Sequence, residues 1–158
     1  MTELALRKDA IPLVRSTTER AALAPAVHDR IYYLPTQCIQ RWTGSAWQRE
    51  TQCTTIFAVA YGGSSVVPDA SSGEIQELEV TDTNAISMAA PIYPASGESI
   101  VLAIKNSSGG SMGTITWNSV YKLAGSFTNP ANGYIRTIRF YYNGTNWIEV
   151  SRAPADIG

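Results

Sequence analysis

From Thr51 onward, apolar and polar residues alternate in short runs broken by Gly, Ser, Asn and Pro, the period-two pattern of half-buried strands. "TTIFAVAY" is rich in β-branched and aromatic residues and stops at Gly62-Gly63. "IQELEV" sets Leu78 and Val80 against Glu77 and Glu79. "AISM" is a short strand closed by "AAPIYPASG", and "ESIVLAIKN" puts Ile100, Leu102 and Ile104 on one face before breaking at "SSGGSMG". "TITWNSV" returns, "AGSFTNPANG" is loop, and "YIRTIRFYYNGTNWIEVS" is a long hairpin. No helical period runs through this region. The pattern predicts an all-β domain over residues 51–158, an antiparallel β-sandwich or barrel of jelly-roll-like order. The lack of crossover helices excludes βαβ units.

Residues 1–50 read differently. Apolar and charged residues mix irregularly up to Val14, with Pro12 interrupting, which predicts an extended N-terminal arm. Ser16 and Glu19 fit a capping box ahead of Ala21, Ala22 and Leu23, and Pro25 ends the run, so one short helix is expected. A short strand and the hairpin "RWTGSAWQRE" complete an attachment unit. That hairpin and "YYNGTNWIEV" share one device, an aromatic residue, a turn with Gly and Ser or Thr, then Trp. Asn143-Gly144 is the strongest short turn signal in the chain, since tight primed turns need positive φ angles. An even-numbered loop faces Trp42 to Trp47 and Tyr142 to Trp147, pairs that hold register. In the second hairpin Ile138, Phe140, Tyr142 and Trp147 then share one face, and Tyr141, Ile148 and Val150 the other. Both faces call for burial, the second by a local element or by another subunit.

Composition narrows the function classes. Of 158 residues, 44% are hydrophobic and only 16% charged, which fits a folded chain and excludes a charge-driven disordered one. Net charge is −1 and the twelve Lys and Arg form no run, so nucleic-acid binding is not expected. The first twenty residues lack the unbroken apolar run of a signal peptide, and no stretch matches a membrane-spanning helix, so neither secretion nor membrane insertion is expected. Cys38 and Cys53, the two cysteines, flank the first hairpin; reduced, buried thiols are favoured over a disulfide.

Catalytic chemistry finds little material. His28 is the sole histidine, and no second His or Cys neighbours it, so neither a metal set nor a triad can be written. Glu77 and Glu79 share a strand face, as the solvated side of an amphipathic strand does. "NSSGGSMG" lacks the Lys-Ser/Thr of a phosphate loop. No catalytic, cofactor-binding or metal-ligating residue is expected, and no enzyme. Trp42, Trp47, Trp117, Trp147 and Tyr121 are candidates for a sugar-stacking set, against the commoner role of strand aromatics as core or interface anchors.

"GTITWNSVYKLAGSFTNPANGYIRTIRFYYNGTNWIEVS", with "APIYPASGESIVLAIKNSSGG" before it, resembles the C-terminal β module of tailed-bacteriophage virion proteins; the likeness covers about Glu74 to Ser151. "STTERAALAPAVHDRIYYLPTQCIQRWTGSAWQ" is similar to a second phage-fibre unit. The resemblance implies a structural, trimeric, non-enzymatic virion protein made in the host cytoplasm. The expected role is capsid decoration or cement, binding the phage major capsid protein or other virion proteins as a homotrimer. The alternative is a short tail-fibre protein recognising a host surface glycan. Candidate interface residues are Leu4, Leu6, Ile11 and Leu13 on the arm, and Trp42, Trp47, Tyr141 and Trp147 on the hairpins.

Overall fold

Strands dominate, as the period-two pattern requires. The computed structural model describes residues 11–27, 29–33, 38–50 and 56–158, with Cys38 and Arg49 as backbone only. The N-terminal part contains β1 (Leu13–Val14), α1 (Thr17–Ala21), β2 (Arg30–Tyr33), β3 (Cys38–Trp42) and β4 (Trp47–Arg49). The larger part contains β5 (Phe57–Ala58), β6 (Ser65–Val66), β7 (Ile75–Val80), β8 (Ile86–Met88), β9 (Ser99–Asn106), β10 (Ile115–Trp117), β11 (Tyr121–Lys122), β12 (Ile135–Tyr142) and β13 (Trp147–Arg152). The arm residues Leu4 and Leu6, His28, Cys53 and the Cys38 side chain lie outside the described residues.

The larger part is all-β, and its strands stack as a coil. Each turn of the coil contributes one strand to a six-stranded sheet (order β11-β13-β12-β9-β7-β5) and one to a three-stranded sheet (order β10-β8-β6). Phe57, Gln76 and Leu102 stack in parallel register in the first sheet, and Ser65, Ser87 and Thr116 in the second. The antiparallel order expected from the sequence holds where β12 pairs with β9 and with β13; the coil itself is parallel. Parallel neighbours need a crossover, and here a strand of the opposite sheet serves where a βαβ unit would place a helix. Alternation of apolar residues reports which face is buried and is blind to strand direction.

Burial follows the alternation closely. β9 reads half-buried and buried in strict succession, with Ile100, Leu102, Ile104 and Asn106 inward. These pack with Leu78, Val80, Ile138, Phe140 and Trp147 of the same sheet and with Val66, Ile86, Met88 and Ile115 of the facing one. Asn106, fully buried, sits on the apolar face, yet all its amide valences are used. Its Nδ2 donates to the carbonyls of Gly110 and Pro130 at 3.0 Å each, and its Oδ1 accepts from the Ser108 backbone N–H and hydroxyl. It thereby ties two loops to the end of β9, which is why a polar residue is stable there.

Both hairpins form as expected, with one change of chemistry. Trp42 pairs with Trp47 and Tyr142 with Trp147, their ring centroids 5.5 and 5.0 Å apart. Each loop has four residues, and only Gly44 and Gly144 in them take positive φ, so Asn143 does not centre a two-residue primed turn. Its side chain works instead: Oδ1 accepts from the Thr145 and Asn146 N–H groups. A bulge between Arg139 and Phe140 leaves Val150 opposite no partner.

The N-terminal sheet, order β1-β2-β3-β4, buries Val14, Ile31, Tyr33 and Trp47 in a cluster separate from the main core. The predicted cap is present: Ser16 Oγ accepts from the Glu19 N–H at 3.1 Å. Glu19 reaches back one residue further than a capping box requires, accepting from the Arg15 N–H.

Candidate interaction surfaces

A buried amide docks the N-terminal sheet onto the coil. Gln40 on β3 shares a face with Trp42 and is fully buried. Its Nε2 donates to the Ser71 carbonyl at 3.0 Å, and its Oε1 accepts from Arg20 Nη1 of α1 at 3.1 Å. Ser71 belongs to the turn Pro68 to Gly73, which is organised from both ends. Asp69 accepts from Ser71 and Ser72, while the fully buried Gln76 of β7 donates to the Asp69 and Gly73 carbonyls and accepts from the Asp69 N–H. Arg20, Gln40, Ser71, Asp69 and Gln76 thus form one hydrogen-bonded path from helix to coil. Replacing Gln40 by Ala leaves the Ser71 carbonyl unpaired at a buried site, at a cost of about 1–3 kcal/mol. Hydrogen exchange is expected to show faster opening of residues 13–33 with β9 and β12 unchanged; equal protection in both proteins would mean that this bond does not hold the unit.

Beside that path lies an open cleft of about 400 Å³. α1 supplies Thr17 and Arg20, the first hairpin supplies Trp42 and Trp47, and the coil supplies Ser71 and Tyr93. The Arg20 guanidinium stacks over the Tyr33 ring, 4.5 Å from its centroid. Burial raises the Tyr33 hydroxyl above its usual range, opposed by the Arg20 charge. Among the described residues no carboxylate lies within ion-pair distance of Arg20. Tyr93 has a φ of 53°, the sole left-handed residue other than glycine among the described ones, and it is 48% exposed. Its neighbour Ile92 bonds the Pro68 and Ala70 backbones, which holds the chain leading into Tyr93 in place.

The second surface is the outer face of the six-stranded sheet. Register lines up Ile148, Tyr141 and Ser99 in one row and Arg139, Val101 and Ile75 in the next. Tyr141, Ile75 and Val150 stand exposed there, and no element among the described residues covers them. Further along, the expected solvated carboxylates appear: Glu79 accepts from Lys105 and Ser107, and these bonds hold its carboxyl below the usual range.

The sequence-predicted interface residues separate on this structure. Ile11 and Leu13 are exposed at the start of the N-terminal sheet, and Tyr141 is exposed on the outer face. Trp42 is half-buried in the cleft wall, whereas Trp47 and Trp147 are enclosed by their own chain at 8% and 1% exposure. An inward-facing strand position explains both: each Trp is turned to a core by the pairing of its hairpin. Trp117 and Tyr121, of the sugar-stacking set, join Phe127 and Phe140 in an aromatic cluster with centroids 5.1 to 5.8 Å apart. The loop after them is fastened to β13, because Arg152 donates to the Gly125 and Ser126 carbonyls and Glu149 accepts from the Ala124 N–H. The Arg152 guanidinium in turn holds the Glu149 carboxyl below the usual carboxylate range. Gln40, Gln76 and Asn106 were missed as organising residues.

Among the described residues no group of three His, Cys, Asp or Glu is placed to hold a metal ion, and no helix is long and apolar enough to cross a membrane. No protein-family model matches the chain, and no curated protein matches it.

Proposed function

We propose that this is a bacteriophage virion structural protein that binds the outer shell as an oligomer, in the manner of a capsid decoration or cement protein. The observation that carries the reading is the uncovered outer face, where Ile75, Val101, Tyr141, Ile148 and Val150 offer apolar area beside the Arg139–Glu74 ion pair. Such a face on a rigid sheet is suited to packing against copies of the same chain about a symmetry axis. The exposed Ile11 and Leu13 give the opposite unit an adhesive strand of its own. Clamping by buried area needs no catalytic group, and the phage-like motifs of residues 74–151 support the assignment.

Light scattering of the purified protein is expected to give a trimer mass, and the protein is expected to co-sediment with empty shells of the parent phage. Removal of the residues before Ser16 should abolish shell attachment and leave the β domain folded. The double substitution Tyr141→Ser and Val150→Ser should lower self-association at least tenfold with little change in folding stability. A monomer that ignores shells overturns the reading. The tail-fibre alternative is favoured by one feature, the aromatic cleft, and not by Trp117 or Tyr121, whose rings serve the core.

A further inference from the structure

We infer that the cleft between α1, the first hairpin and the turn at Ser71 is a binding site for an anionic sugar residue, a pyranose carrying one carboxylate. The inference goes beyond shell binding, is independent of it, and gives the receptor-binding alternative a place on the molecule.

The chemistry of the lining selects the ligand class. Among the described lining residues Arg20 is the one cation, so they match a single negative charge and not a di- or triphosphate. A guanidinium carries five N–H donors, and Gln40 engages Nη1 alone, which leaves donors for a carboxylate. The guanidinium is held before any ligand arrives by its seat over the Tyr33 ring and its bond to Gln40. Trp42, tilted against Trp47, offers the flat apolar wall on which the C–H face of a pyranose packs. Thr17 and Ser45 add hydroxyl-bearing side chains to the lining, suited to sugar hydroxyls. The volume, about 400 Å³, falls in the range of small-ligand sites, and such sites favour junctions between structural units.

Tyr93 supplies an independent observation. A half-exposed tyrosine in the left-handed region is strained, and the surrounding bonds of Ile92 keep it there. Core packing does not require that strain, since the ring is not buried. That backbone holds a half-exposed aromatic side chain in the lining of the same cleft as Trp42 and Arg20.

The test uses the full chain without shells, so its outcome is separate from that of the shell-binding reading. Glucuronate and N-acetylneuraminate are titrated while tryptophan fluorescence and the indole N–H resonances are followed, with glucose and acetate as comparisons. Saturable changes in Trp42 with either acidic sugar, at least tenfold weaker with glucose and with acetate, are expected. Tyr93→Ala and Arg20→Met should each weaken binding at least tenfold. Tyr93→Ala keeps the α1 contacts intact, so it remains informative where Arg20→Met loosens the N-terminal unit. No saturation with either acidic sugar overturns the inference, as does equal binding of acetate or undiminished binding by Tyr93→Ala.

Discussion

Trp147→Ala is expected to destabilise the protein by about 3–5 kcal/mol, the usual cost of removing a buried aromatic from a core. The side chain is 1% exposed and faces Tyr142 across the hairpin and Tyr121 on the parallel neighbour, while the backbone N–H of Trp147, which the substitution keeps, donates to the Val120 carbonyl. The substitution therefore opens a cavity where two antiparallel strands and one parallel strand meet. Thermal unfolding should fall by about 10–15 °C for a chain of this size. Because the ring is enclosed by its own chain, the fall should be the same at micromolar protein and at hundredfold higher concentration. A fall confined to one concentration regime would place Trp147 in contact between subunits. Tyr141→Ser, one strand pair away on the exposed face, should change stability by less than about 1 kcal/mol.

Gly113→Ala is the second large effect. The Gly113 backbone needs no unusual φ, so the restriction is space alone. A Cβ there would lie 1.9 Å from the Asn84 carbonyl oxygen and 2.3 Å from its carbon, both backbone atoms that cannot swing aside. The two segments are pinned together, since the Ile86 N–H donates to the Thr114 carbonyl at 2.9 Å and Asn129 Nδ2 donates to the Gly113 carbonyl at 2.9 Å. Relief requires parting β8 from β10 at one end of the three-stranded sheet. A loss of about 3 kcal/mol or more is expected, read by urea denaturation. Gly110→Ala is the control, because nothing lies within 4 Å of its added Cβ. Equal midpoints for the two variants would mean that the strands do not approach so closely.

How much of this was legible follows from what alternation encodes. Inward and outward faces of β7, β9, β12 and β13 were readable because each apolar residue declares its side, and the pairings Trp42–Trp47 and Tyr142–Trp147 followed from loop parity. Strand direction was not readable, because a parallel rung and an antiparallel strand bury the same alternate positions. The interface residues were harder. Aromatic residues in hairpins suit cores and contacts alike, and only the packing of the facing sheet assigns Trp147 to one and Tyr141 to the other. The organising amides did leave a signal. Gln76 precedes Leu78 and Val80, and Asn106 follows Ile100, Leu102 and Ile104, each at the inward parity of its strand. A polar residue in phase with buried ones must find partners, and here loop carbonyls provide them. Tyr93 carried no comparable mark, since its backbone conformation depends on the distant Pro68 to Ala70 segment.

The parallel coil also sets the order in which the protein can come into being on a ribosome. A hairpin can close as soon as its second strand emerges, but β5 and β6 find their partners only once β7 and β8 have been made, and those wait in turn for β9 and β10. The core is sealed by Phe140 and Trp147, downstream of every rung. Most contacts therefore join residues well separated in sequence, a topology that folds slowly. Until residue 147 is available, the inner face of each nascent rung stays open to water and to other nascent chains, and the period of synthesis is when the protein is most exposed to aggregation.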